Sequence, residues 1–196
     1  MTNQNATSRW EIYYGPSDEP IGLLHRRWDA AELVTTIIFA SPEPHHVINR
    51  IELEGRRWIR SHYTEDGSDP IVIEAAGLIE EEDAIPTTME FLLLRDAIAN
   101  ASTADEHTVS YHVFAPNDRR GVAQDASMWS PESGIWEIEA NGELASSHRV
   151  VSGEIVSSDW LGVRSRPVSA DQAEEHLRSL VDDDVLDALL AIEPRD

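Results

Sequence analysis

The chain has 196 residues, 41% of them hydrophobic, and its 37 acidic against 15 basic side chains give a net charge of −22. That length suits one domain, or at most two small ones, with a real core, and the apolar fraction argues against wholesale disorder. Cysteine is absent, which removes disulfides, thiol catalysis and Cys-ligated metal centres, and no apolar run approaches the roughly 20 residues of a membrane-spanning helix.

The first ten residues, MTNQNATSRW, have no basic start and no apolar stretch, so the sequence predicts no secretory signal. RWEIYYG (9–15) alternates around Trp10, Ile12 and Tyr14 and reads as a strand, ended by the turn-rich GPSDEP; IGLLHRRW (21–28) completes a hairpin. Asp29 and Glu32 have the spacing of a capping pair for one or two helical turns, before TTIIFA turns β-like. After the loop SPEPHH, three strands are predicted at 47–53, 56–63 and 70–75. Strict alternation in the middle one puts Arg56, Trp58, Arg60 and His62 on one face, and Arg57, Ile59, Ser61 and Tyr63 on the other. Arginines and carboxylates of these strands are expected to form a cross-strand ladder, with Trp58 packed among them.

PTTMEFLLLRDAIANAS (86–102) reads as a helix, Thr87 and Glu90 holding capping-box positions, and 107–116 reads as a strand. NDRRGVAQDASMWSPES, from 117, reads as a long polar connection with room for a short helix. Asn141-Gly142 marks a tight hairpin, followed by long twisted strands to 168. Ser169 and Gln172 cap a C-terminal helix (169–192) with an apolar stripe that includes Ala173, Leu177, Leu180 and Val181.

Two origins of the charge stay open. A nucleic-acid mimic would use its carboxylates as phosphate substitutes for a DNA-binding partner. The alternative is life in molar salt, where a Debye length of about 3 Å tolerates such density. Carboxylates spread along the whole chain, and basic residues that are all arginine, fit brine better; the composition resembles haloarchaeal proteins and those of their viruses. Either way, direct binding to nucleic acid is disfavoured.

No motif names a reaction. His45 and His46 are adjacent, and His107 and His112 are five apart, so neither pair shares a strand face. HExxH, calcium-loop, GxSxG and phosphate-loop patterns are all missing, and no cofactor or catalytic residue is predicted. EDGSD (65–69) has the oxygen content of a cation loop but equally that of a polar turn. Paired arginines in NDRRG (117–121) suit either an anion or neighbouring acids. Six tryptophans, often beside arginine, are the more unusual feature. They fit a sheet core with guanidinium groups over rings, or an assembly surface, for which Arg56, Trp58, Arg60, Arg119, Arg120, Trp129, Trp136 and Trp160 are the candidates.

From residue 47 onward, VINRIELEGRRWIR, DPIVIEAAGLI, the helix, HTVSYHVF and GIWEIEA follow in an order that resembles tail-tube and tail-associated β-barrel proteins of tailed viruses and contractile injection systems. That resemblance implies no catalysis, ring-forming subunits, and bridging loops, with EDGSD and the segment from 117 as the bridges. The expectation is one α+β domain (1–196, core 47–168). It is a mixed or antiparallel sheet forming a sandwich or barrel, with a packed central helix and a C-terminal one. The expected role is a non-enzymatic assembly component, homo-oligomeric or part of a larger structure, in a halophile's cytoplasm or a virion, without membrane insertion. The alternatives are a soluble haloarchaeal accessory or binding protein, including the mimic, and then an enzyme of unknown reaction.

Overall fold

The computed structural model describes residues 6–40, 45–78, 84–101, 108–119 and 122–180. Its strands are β1 (Thr7–Tyr14), β2 (Pro20–Trp28), β3 (Glu32–Phe39), β4 (His45–Glu54), β5 (Arg57–Glu65), β6 (Ile71–Glu74), β7 (Ile85–Pro86), β8 (Val109–Phe114), β9 (Gln124–Glu132), β10 (Ile135–Ala140), β11 (Glu143–Val151), β12 (Glu154–Trp160) and β13 (Val163–Val168). Helices α1 (Glu90–Asn100) and α2 (Ala170–Leu180) complete it.

All thirteen strands join one open sheet in the order β6-β5-β4-β3-β2-β1-β13-β12-β11-β10-β9-β8-β7. Pairing is antiparallel except between β7 and β8, so the sheet is mixed. The order follows from short hairpins. Asn141-Gly142, Ser152-Gly153 and Leu161-Gly162 each place two consecutive residues at positive φ, the turn whose twist matches its strands. The meander returns to its start because β13 pairs with β1, Trp10 opposite Val168. Five register shifts among the described ladders insert extra residues, which bend and twist the strands.

Directly paired residues share a face. Ile12, Leu23 and Ile38 stand in one row across β1–β3, and Ala173 and Leu177 of α2 pack on it. The other face of the same strands carries Glu11, Leu24 and Ile37, so β1 is buried on both sides. Phe91 and Leu94 of α1 pack against Met128, Trp136, Ile138 and Ile155 from β9, β10 and β12. A third cluster draws Leu33, Ile51, Trp58 and Ile73 from β3–β6 together with Ala84 and Phe114 from the opposite end of the sheet order. There the Trp58 ring lies 5.3 Å from that of Phe114, and its Nε1 donates to the Ala84 carbonyl at 2.8 Å.

Four expectations need correction. Asp29 does cap, accepting the N–H groups of Ala31 and Glu32, but it closes a tight turn between β2 and β3 rather than a helix. β5 does not alternate strictly. Its register shifts opposite Glu52 and Leu53, leaving Ile59 as the extra residue. Trp58 therefore points inward with Ser61, while Arg60 and His62 lie on the opposite face. The helix expected from 86 begins at Glu90, after β7 and a 3-10 turn (Thr87–Met89), and no side chain caps it; Glu90 turns instead to Tyr111. Much of the connection from 117 is strand β9, whose Asp125, Ala126, Ser127 and Pro131 hide its strand character behind poor β-formers. The Ser169–Gln172 cap of α2 does form, and its stripe beyond 178 lies outside the described side chains.

Candidate binding site

On β1 the inward side chains are Arg9, Glu11 and Tyr13. Glu11 is 1% exposed and sits at the centre of a polar group built across β2, β1 and β13. Arg9 Nε and Arg26 Nη1 each donate to Glu11 Oε1 at 2.8 Å, and the Ser165 hydroxyl donates to Oε2. Arg9 Nη2 also donates to the Ile155 carbonyl at 2.7 Å. Burial alone would raise the Glu11 pKa; the Arg26 and Arg9 guanidiniums and the Ser165 hydroxyl outweigh it and hold the carboxyl below its ordinary value. Two guanidinium groups share one carboxylate, leaving a single excess positive charge.

Across β11 and β12, His148 is clasped by two serines, Ser146 Oγ at 2.9 Å from Nε2 and Ser158 Oγ at 2.8 Å from Nδ1. Burial, aided by Arg26, pushes this ring down to about 4, so it is neutral. It therefore accepts from one serine and donates to the other. Both ring nitrogens are engaged by hydroxyls, and no hydrogen bond to a carboxylate orients the ring among the described residues. Among the described residues, the ring therefore lacks the carboxylate that orients the histidine of a serine–histidine hydrolytic set.

Between these two polar groups and α1 lies a cavity of about 400 Å³. Its apolar wall includes Ile37, Phe39, Leu94, Ile138, Trp160 and Val163; its polar wall includes Arg26, Thr35, Thr88, Glu90, Ser146, His148 and Ser158. The Arg26 guanidinium lies over the Phe91 ring, 4.4 Å from its centroid. Burial pushes the Glu90 carboxyl up to about 7, opposed by the hydrogen bond it accepts from Tyr111 at 2.8 Å. Three polar atoms of lining residues, Arg26 Nε, Thr35 Oγ1 and Thr88 Oγ1, are sealed from solvent and have no hydrogen-bond partner among the described residues. Asn49 Nδ2 is likewise unpartnered, and Asn49 stands next to Thr35 in the row that runs from Arg26. Buried polar groups are nearly always paired, so each of these is a local cost to the fold.

The structure does not bring the eight sequence-predicted interface residues together. Trp58 and Trp136 are core residues, 6% and 4% exposed, and so are not surface anchors. Arg60 forks onto Glu74 and reaches Glu52, realising the expected ladder on the outer face. Arg56 is 86% exposed, 3.6 Å from Asp96, beside a groove that Trp28, Leu92 and Arg95 also line. Arg119 is exposed, Arg120 lies outside the described residues, and Trp129 is half-buried. Of the seven that are described, Trp160 alone lines the cavity. Glu65 and Asp66 of EDGSD meet His45, but they engage different ring nitrogens, at 3.4 and 2.9 Å. One ligand atom from each of the three lies within 4.8 Å of the others, an arrangement that exposed acidic groups commonly show without an ion.

No family model, curated protein or solved structure matches the chain.

Proposed function

We propose that the protein binds a small molecule inside its sheet, which curls around α1 into a barrel left unzipped between β6 and β7. Support for the curl comes from the cluster shared by the two ends of the sheet order and from the Trp58–Ala84 hydrogen bond. The observation that carries the binding role is a cavity of about 400 Å³, a volume within the usual range of ligand pockets, with an apolar wall and the polar side chains of Arg26, Ser146, His148 and Ser158 in its lining.

The test is titration with a neutral solvatochromic dye. One saturable site is expected, with a blue shift and quenching of tryptophan emission that Trp160→Phe diminishes. Ile37→Trp fills the cavity from its wall and abolishes the binding while the variant stays folded. Absence of saturable binding, or wild-type binding by folded Ile37→Trp, would overturn the proposal.

A second reading is the assembly subunit implied by the sequence resemblance. It is favoured by Val72 on the edge strand β6 and Ile59 on neighbouring β5, apolar side chains that are 48% and 43% exposed. In both readings the charge is proposed as an adaptation to brine that also disfavours phosphate backbones. Light scattering separates them: a monomer with a filled cavity supports the first, a ring the second.

A further inference from the structure

Resting on the binding role just proposed, the two serines around His148 specify the head of the ligand, and the charges around them specify its class. We infer that the cavity takes an uncharged molecule with an apolar body, headed by one oxygen that accepts a hydrogen bond from the Ser146–His148–Ser158 group. Ser146 and His148 stand two apart on β11, and Ser158 on β12 lies directly opposite His148, so the three share one face, and all line the cavity. They keep 4%, 5% and 5% of their surface accessible, unlike Ser165 of the ionic centre at 0%. Among the described residues, each of the two hydroxyls bonds only to the ring. An imidazole cannot satisfy both. A neutral ring accepts at one nitrogen and donates at the other, which leaves one serine hydrogen without an acceptor; a protonated ring would leave two. Apolar lining begins beside this spare donor: Ile138 is paired with Ser146, and the Trp160 ring stands edge-on to His148 with centroids 6.0 Å apart.

Charge decides among acceptors. The Glu11 oxygens already receive Arg9, Arg26 and Ser165, so a cation would meet an occupied carboxylate with two guanidiniums beside it. Glu90, the other carboxyl in the lining, is pushed up to about 7 by burial and accepts from Tyr111. Anions fare no better. The surplus positive charge of the ionic centre is already complemented by the Ile155 carbonyl, 2.7 Å from Arg9 Nη2, and by the Phe91 ring, 4.4 Å from the Arg26 guanidinium. An anion drawn there would lie beside Glu11, within a chain of net charge −22. Taking either kind of ion out of water is costly unless a free counter-charge and hydrogen bonds meet it. A neutral oxygen, such as that of a ketone or an alcohol, satisfies the spare serine hydrogen without that cost.

The test displaces the neutral dye at about pH 6, where Glu90 is largely protonated, with acetophenone, benzoate, benzamidine and cumene. These four share one shape and differ in the charge and hydrogen bonding of the head. Benzoate and benzamidine are each expected to need concentrations at least about tenfold above that of acetophenone. Cumene gauges the apolar body alone. Combining Ser146→Ala, His148→Leu and Ser158→Ala removes the whole polar group. The potency of acetophenone relative to cumene is then expected to fall about threefold to tenfold, the size of one neutral hydrogen bond. Infrared spectroscopy of acetophenone bound to the unaltered protein reads the same bond without a variant, its carbonyl band expected below the position found in an alkane. With the dye bound, either ion matching acetophenone, or acetophenone failing to displace the dye, overturns the assignment and leaves the binding role standing. An unchanged potency ratio in the folded triple variant, or a carbonyl band at its alkane position, does the same. Failure of the dye to bind overturns both.

Discussion

Substituting Glu11 by Gln removes the one negative charge that Arg9 and Arg26 share while keeping the side chain's shape. Glu11 receives hydrogen bonds from both guanidiniums and from Ser165, and its side chain is 2% exposed against 14% and 11% for the two arginines. The variant therefore leaves two positive charges close together in the interior with no counterion between them. Breaking a buried ion pair from one side costs about 3–5 kcal/mol, the greater part being desolvation of the stranded partner. For a domain of this size, each kcal/mol lowers the melting temperature by about 2–4 °C, so a fall of about 6–20 °C is expected. Urea denaturation followed by tryptophan fluorescence measures the free energy directly, with an unchanged m-value showing that both states keep their compactness. Glu11→Gln combined with Arg26→Met is expected to be more stable than Glu11→Gln alone, because it withdraws one stranded charge. The pH profile supplies an independent check. The folded pKa of Glu11 lies below its unfolded value, so its contribution is present above pH 4.5 and is lost as pH falls through the lower folded value. Loss of less than about 1 kcal/mol on removing Glu11, the size of an exposed pair, would refute the idea of a dry ionic centre.

Histidine and glutamate burial give opposing pH signatures. His148 and His25, each pushed down to about 4, make stability rise with pH between about 4 and 6.5, because the unfolded chain binds protons there that the folded one does not. Glu90, pushed up to about 7, makes it fall between about 4.5 and 7. In urea titrations at stepped pH, His148→Gln is expected to lower the slope by one proton in the first window, and Glu90→Gln to raise it in the second. Gly22→Ala places a Cβ 2.3 Å from the Ile38 carbonyl oxygen and 3.0 Å from the Phe39 ring, for an expected loss of about 2 kcal/mol by chemical denaturation. Gly142→Ala, strained only by its φ of +79°, should cost about 1 kcal/mol. If the acidity is an adaptation to brine, the melting temperature measured by calorimetry climbs steeply from dilute buffer to molar KCl; a flat profile would speak for the mimic instead.

Much of the architecture is legible in the amino-acid order. β1 and β2 announce themselves by alternation, Asn141-Gly142 by its turn chemistry, and α2 by Ser169, Gln172 and its apolar stripe. Ser152-Gly153 and Leu161-Gly162 adopt the same two-residue geometry with first residues that carry a weaker turn signal than asparagine. Strand β9 is hidden by small and acidic residues. The bulge at Ile59 is invisible because one extra residue reverses a period-two pattern without changing its composition.

The cavity was illegible for a related reason. Trp10, Ile12 and Tyr14 mark one face of β1 as apolar, which makes Arg9 and Glu11 read as solvent-facing. In the fold, α2 covers the apolar face and the interior receives the charged one. Only a strand that is buried on both sides turns an ordinary arginine–glutamate pair into an ionic centre. Its complements, Thr35, Ser146, His148 and Ser158, are common residues on distant strands, and nothing in their spacing ties them to one place.

The most direct test is a crystal structure of the protein grown with a medium-chain ketone brominated at its far end, read by anomalous scattering. Bromine is expected in the cavity beside Trp160 and Ile138. Ordered water alone in that cavity, with bromine absent from the interior of a folded molecule, would contradict it.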